Sequence, residues 1–194
     1  MPRLSERLAV AVRWACEVEV RAMKPGNVSI HSPGHGMSAQ DFLASAGAVA
    51  GPLTALAAGV GERILRAVEA TRAAVGCNTN LGIVLLAAPL IHAALRAGAE
   101  PLRPALDKVL RSLTVEDAGL AYQAIRLAQP GGLGASPRHD VNEVPRVTLL
   151  AAMQEAASRD SIALQYANGV REVFETGVPL ARFCRSHWQS DEWA

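Results

Sequence analysis

The chain has 194 residues, 50% of them hydrophobic and 4% aromatic, and 19 basic against 18 acidic side chains leave a formal net charge of +1. That length suits one domain, or one domain plus a fragment. The balanced charge and the lack of a basic, aromatic patch exclude nucleic acid as a partner.

With so few aromatic residues, the core must be built from Ala, Leu, Val and Ile, which favours helix packed on helix. Residues 4–22 carry Leu4, Leu8, Val12, Ala15 and then Val18 or Glu19 along one stripe, the signature of an amphipathic helix. Acidic residues follow Arg13, so this start is not a secretory leader. The prolines and glycines of "KPGNVSIHSPGHGM" (24–37) predict a long loop, and Ser38 reads as the N-cap of the next helix. His31 and His35 are four apart, but Pro33 and Gly34 between them rule out helical zinc-ligand spacing.

A third helix is predicted over 61–75 with Ile64, Leu65, Val68 and Thr71 inward, and a very apolar one over 80–97. Its segment 81–95 is shorter than the ~20 residues a membrane span needs, and contains Pro89 and His92. Pro101 and Pro104 open a further helix, and Thr114 three residues before Asp117 forms a capping-box start for the one after it. Helices are then predicted over about 144–158 and 160–176, with a last one from near Pro179. "RSHWQSDEWA" reads as a helix cut short, as in a shortened version of a longer chain. Cys16, Cys77 and Cys184 are odd in number and widely spaced, which fits a reducing compartment and a cytoplasmic protein. The expected fold is all-α: a single multi-helix bundle over 1–194 with functional loops at helix junctions.

Surplus polar groups gather at three junctions. In "EVEVRAMKPGNVS", Glu17, Glu19, Lys24 and Asn27 surround a Pro-Gly turn, which can present Lys24 and backbone N–H groups to an anion or simply end a helix. In "GCNTNLG", Asn78, Thr79 and Asn80 precede the apolar helix; one would suffice as a cap, and a helix N-terminus with spare donors is suited to phosphate. In "AQPGGLGASPRHDVNE", Gly131, Gly132 and Gly134 let backbone approach a ligand, and Asp140 beside His139 is a hard oxygen ligand or the N-cap of the following helix. Asp160 caps the helix after it or belongs with Arg159 to a site.

Read in order, "EVRAMKPGNV", "DFLASA", "AVEATRAAVGCNTNLGIVLLAAPL", "DAGLAYQAIRLAQPGGLG", "HDV" and "ASRDSIALQYANGV" resemble the triphosphoribosyl-dephospho-CoA synthase family from about residue 17 to 176. The "PGGLG…HDV" pattern is similar to a short branch found in archaea and in bacteria with one-carbon pathways. Two departures stand out. Gly36 occupies the place of an Asp in the better-known synthases, and Asn80 and Leu81 replace a His and a cation.

The resemblance implies an all-helical transferase that moves the triphosphoribosyl group of ATP to a hydroxyl of 3′-dephospho-CoA with release of adenine. Such a transfer needs a metal on the triphosphate, donors along it and a carboxylate assisting the acceptor hydroxyl. The residues implied are Glu19, His139 and Asp140 for catalysis. Lys24, Asn27, Asn78, Thr79, Asn80, Gly131, Gly132, Gly134 and Arg159 would bind nucleotide and phosphate. Mg²⁺, with Mn²⁺ as the alternative, is expected on Asp140 and Asp117. The expected partners are nucleotide and CoA-like small molecules, with no membrane, and a homodimer is compatible with the chain. Two alternatives remain: a related transferase with another acceptor in one-carbon cofactor biosynthesis, and a non-catalytic nucleotide- or cofactor-binding protein.

Overall fold

The computed structural model describes residues 2–22, 28–32, 34 and 36–188. Among them are nine α-helices and no strand, only the isolated bridges Ser29–Ser32 and Gly34–Met37. The fold is all-α.

Helix α1 (Leu4–Arg21) buries Cys16 and Val20 and packs Leu8 and Val12 against the core. The buried stripe is therefore 8–12–16–20, an uninterrupted four-residue spacing. Leu4, expected inward, is 46% exposed at the helix start, and Ala15 lies off the stripe and is exposed. Helix α2 (Ala39–Thr54) begins as expected at Ser38, whose N–H and Oγ donate to Asp41 Oδ2 at 2.7 and 2.9 Å. Small residues on its inner face, Ala46, Val49 and Ala50, let it lie close to α1 and to α3 (Val60–Val75).

Helix α3 occupies the centre, against α2, α4 (Leu81–Arg96) and α6 (Val115–Ala128). It ends at Gly76, whose φ of 71° a side chain would strain. Arg63 on α3 is fully buried and donates from Nη1 to the Leu53 carbonyl at 2.6 Å, satisfying the C-terminal end of α2. Helix α5 (Leu102–Ser112) covers α4. The α6 capping box forms as expected, with Asp117 N–H donating to Thr114 Oγ1 at 3.0 Å and Thr114 N–H to Asp117 Oδ2 at 2.9 Å.

Two predicted helices are shorter than expected. Helix α7 (Leu149–Ala156) starts behind the N-cap Thr148, not at 144. Pro145 disfavours helical backbone at Val144, and Leu149 N–H is tied back to the Thr114 carbonyl at 3.1 Å. Helix α8 (Ser161–Ala167) is capped by Asp160, whose Oδ1 accepts Ala163 N–H at 2.8 Å, and stops well before 176. Gly169 and Val170 take positive φ there, and a π-helical turn (Val173–Gly177) then opens α9 (Val178–Trp188). Helices α7 and α8 form a hairpin pinned to α4 by Tyr166, whose buried hydroxyl donates to the Leu85 carbonyl at 2.7 Å. No described helix is long and apolar enough to cross a membrane, and the three cysteines are unpaired thiols.

His92 on α4 is half-buried, with Nδ1 3.3 Å from Arg96 Nη1. Burial first, then the charges of Arg96 and Arg63, push its imidazole down to about 4, against the opposing Ala58 backbone bond and Asp117. Between the ordinary value of 6.5 and that folded value, the unfolded chain binds a proton that the native chain does not. The contribution to stability is therefore complete above 6.5 and is lost as pH falls toward 4. His92→Gln is expected to flatten the fall in Tm over that interval relative to the parent. Parallel Tm-against-pH curves for the two proteins would remove His92 as the cause.

Candidate active site

Two cavities open on either side of the α4 N-terminus. The first, about 450 Å³, lies between the 129–148 loop, α4, α6 and the α7–α8 hairpin. The second, about 380 Å³, lies between α1, α2 and the 76–80 junction. Leu81, Gly82 and Pro130 line both, so the two cavities, here termed lobe one and lobe two, share these wall residues.

Lobe one has an apolar floor of Leu85, Ile125, Leu149, Met153 and Ile162, and a polar rim carried by the glycine loop. Gly132 and Gly134 have φ of 76° and 62°. An added Cβ would meet nothing within 4 Å at either position, so the backbone angle alone explains glycine there. Asp140 holds the loop's shape: Oδ2 accepts Ser136 N–H at 2.7 Å, and Oδ1 accepts Asn142 N–H and Nδ2 at 2.8 Å each. These backbone N–H groups hold its carboxyl below the usual value. A carboxylate offers about four lone-pair positions, so one on Oδ2 is left without a donor among the described residues. Asp140 caps no helix, since α7 begins at Leu149.

His139 sits at a φ of 55°, held by Tyr122, whose hydroxyl donates to the His139 carbonyl at 2.9 Å. Burial and the Asp140 charge push the Tyr122 hydroxyl up, so it stays a donor. Arg126 donates to the Val141 carbonyl. Two guanidiniums share one carboxylate at the rim. Arg138 pairs with Glu155 at 2.7 Å, and Arg159 lies 3.9 Å from Glu155 while donating to Ser136 Oγ at 2.9 Å. With Asp140 and Asp160 on the same lobe, carboxylates match these two cations and leave no excess positive charge.

Lobe two is lined by Glu19, Val28, Met37 and Phe42 together with Asn78, Thr79 and Asn80. The oxygens of the two asparagines are spent on the scaffold: Asn78 Oδ1 accepts Leu81 N–H at 3.1 Å, and Asn80 Oδ1 accepts Thr71 Oγ1 at 3.0 Å. Thr79 donates to Ser45 Oγ at 2.7 Å, tying the junction to α2 beside Phe42. Asn80 Nδ2 is buried and has no hydrogen-bond partner.

Set against this geometry, a family model described as CitG: ATP:dephospho-CoA triphosphoribosyl transferase matches residues 5–194. The chain belongs to the CitG family. No curated protein and no solved structure matches it.

Of the residues expected to act in this CitG-family chain, His139, Asp140, Arg159 and the three loop glycines line lobe one, and Glu19 with Asn78, Thr79 and Asn80 lines lobe two. Lys24 and Asn27 lie outside the described residues. Asp117, expected as a second metal ligand, lines neither lobe. Its Oδ1 accepts Gly61 N–H at 2.8 Å and its Oδ2 accepts the Thr114 N–H and Oγ1, so its carboxylate joins α3 to α6. Among the described residues no three His, Cys, Asp or Glu side chains gather as a metal site. The sequence reading missed Arg138, Ser136 and Tyr122. Arg138 stands next to His139, but only its pairing with Glu155, 17 residues on, singles it out.

Proposed function

We propose that this chain moves the triphosphoribosyl group of ATP to a hydroxyl of 3′-dephospho-CoA, releasing adenine, across the two lobes. The observation that carries the reading is the common wall of Leu81, Gly82 and Pro130, where ligands held in separate lobes can meet. Lobe one suits ATP. Its apolar floor takes adenine, and its rim opposes the triphosphate with Arg138, Arg159 and the backbone N–H groups at Gly131, Gly132 and Gly134.

The open lone pair on Asp140 fits Mg²⁺, an ion that uses one or two protein carboxylates and takes its other ligands from phosphates and water. Bound there, Mg²⁺ would neutralise triphosphate charge. Lys24 and Asn27, outside the described residues, are retained in this reading as phosphate contacts.

In the transfer, the bond from the ribose C1′ to adenine breaks and a bond from C1′ to the acceptor oxygen forms. Glu19 takes the acceptor's proton and His139 supplies one to the departing adenine. The unpaired thiols fit a reducing cytoplasmic setting.

The deciding experiment incubates the chain with ATP, Mg²⁺ and 3′-dephospho-CoA and follows free adenine and product mass. Adenine and the triphosphoribosyl adduct should appear together in equal amounts. Adenine formed only with another acceptor would replace 3′-dephospho-CoA, and ATP binding without adenine release under any acceptor would make the chain a binding protein.

A further inference from the structure

We infer that Leu133, on the glycine loop of lobe one, closes over the adenine of ATP and is a base-contact residue of the transfer. The apolar floor of this lobe comes from four helices: Leu85 from α4, Ile125 from α6, Leu149 and Met153 from α7, and Ile162 from α8. Leu133 borders the same cavity from the loop and is the large apolar side chain of residues 130–135. It is 46% exposed. An exposed leucine by itself needs no explanation. One that borders an apolar-floored cavity, on a segment with nothing to hold it in place, calls for one.

The segment is fixed only at its two ends. Gln129 N–H donates to the Ile125 carbonyl at 3.1 Å where α6 stops, and Ser136 N–H donates to Asp140 Oδ2 at 2.7 Å. Ser136 Oγ also donates to the Arg138 carbonyl at 2.7 Å and accepts from Arg159 Nη2 at 2.9 Å. Between these posts the turn at Gly131 and Gly132 is internal to the segment. Among the described residues no hydrogen bond ties residues 130–135 to the rest of the chain. Gly131, Gly132 and Gly134 have nothing within 4 Å of their Cβ positions, and glycine leaves the backbone its widest choice of angles. The segment can therefore swing about its ends without breaking a bond to its surroundings.

Adenine is a flat ring system with two faces. A floor covers one face, and the other stays in water unless something closes on it. Small-molecule sites cover most of the surface of what they hold. Leu133 over the second face takes apolar surface of both partners out of water, and the closed loop keeps water from C1′ while the acceptor attacks. The assignment rests on the transfer reading and deepens it, because it names the residue that recognises the base from the loop side.

The test uses Leu133→Ala and Leu133→Met in the full chain. Kd for Mg·ATP is measured by calorimetry without acceptor. Magnesium tripolyphosphate, which has the phosphates and no base, is measured in competition with Mg·ATP. Leu133→Ala should raise Kd for Mg·ATP about three- to tenfold, with tripolyphosphate binding and Tm unchanged. Leu133→Met keeps the apolar reach and should bind Mg·ATP as the parent does. Amide hydrogen exchange at residues 131–135 should slow when the parent binds Mg·ATP. An unchanged Kd for Mg·ATP in Leu133→Ala overturns the base contact, and exchange that Mg·ATP leaves unaltered overturns the closure. A rise shared equally with tripolyphosphate also counts against the inference, since the side chain would then act on the phosphates through the loop backbone. A parent that binds Mg·ATP but releases no adenine with any acceptor defeats the transfer reading and leaves the base contact standing. A parent that binds no Mg·ATP overturns both.

Discussion

Asp140→Asn is expected to lower adenine release on the order of 10- to 100-fold and to raise the Mg²⁺ concentration needed for half-maximal rate. Three donors converge on this carboxylate, two at Oδ1 and one at Oδ2. An amide presents one oxygen in place of two, so either Ser136 N–H or Asn142 N–H would face an NH₂ group. The loop that carries Gly132, Gly134 and His139 would lose its staple together with the open lone pair. A Mg²⁺ titration separates the two consequences. A lowered maximum with an unshifted half-saturation point would make Asp140 a loop staple and not a metal ligand. Its folded carboxyl lies below the usual 3.8, so the staple is fully formed above that pH and is lost as pH falls through the lower folded value.

The largest expected effect on stability lies away from the two lobes. Gly61→Ala should cost about 1–3 kcal/mol of unfolding free energy or more. An added Cβ would stand 2.7 Å from Asp117 Cα and 3.0 Å from its carbonyl oxygen, and backbone atoms cannot swing aside. Helices α3 and α6 would have to separate, which also stretches the bond from Gly61 N–H to Asp117 Oδ1. Gly131→Ala is the control, since nothing lies within 4 Å of its Cβ and its φ is not positive; its change should stay within about 0.5 kcal/mol. Urea unfolding of both variants measures the difference, and equal midpoints would mean that α3 and α6 do not meet as closely as 2.7 Å requires.

Much of the helical layout is legible residue by residue. Ser38 with Asp41, Thr114 with Asp117, and Asp160 before α8 are caps made within three residues, so neighbouring side chains suffice to announce them. The α1 stripe was readable at Leu8 and Val12 but not at Cys16 and Val20, because the positions buried in its second half are chosen by what α2 presents and not by α1 itself. The delayed start of α7 was hidden for a similar reason: the Thr114 carbonyl that receives Leu149 N–H lies 35 positions earlier in the chain.

The site divides along the same line. Residue chemistry alone marked the three polar junctions, since surplus asparagines, glycines and a His-Asp pair are conspicuous in an apolar helical chain. It could not separate Asp140 from Asp117. Both accept three hydrogen bonds, but the partner that turns Asp117 into a clamp between helices is Gly61, 56 residues away, whereas the partners of Asp140 lie within four residues and leave it at a cavity wall. By itself the sequence determined the all-helical fold, its caps and the polar character of its loops, because these depend on contacts within a turn or two of helix. Only the tertiary structure decided which carboxylate lies at a cavity wall and that two junctions share the wall at Leu81, Gly82 and Pro130, because a cavity is bounded by side chains whose proximity is created by packing.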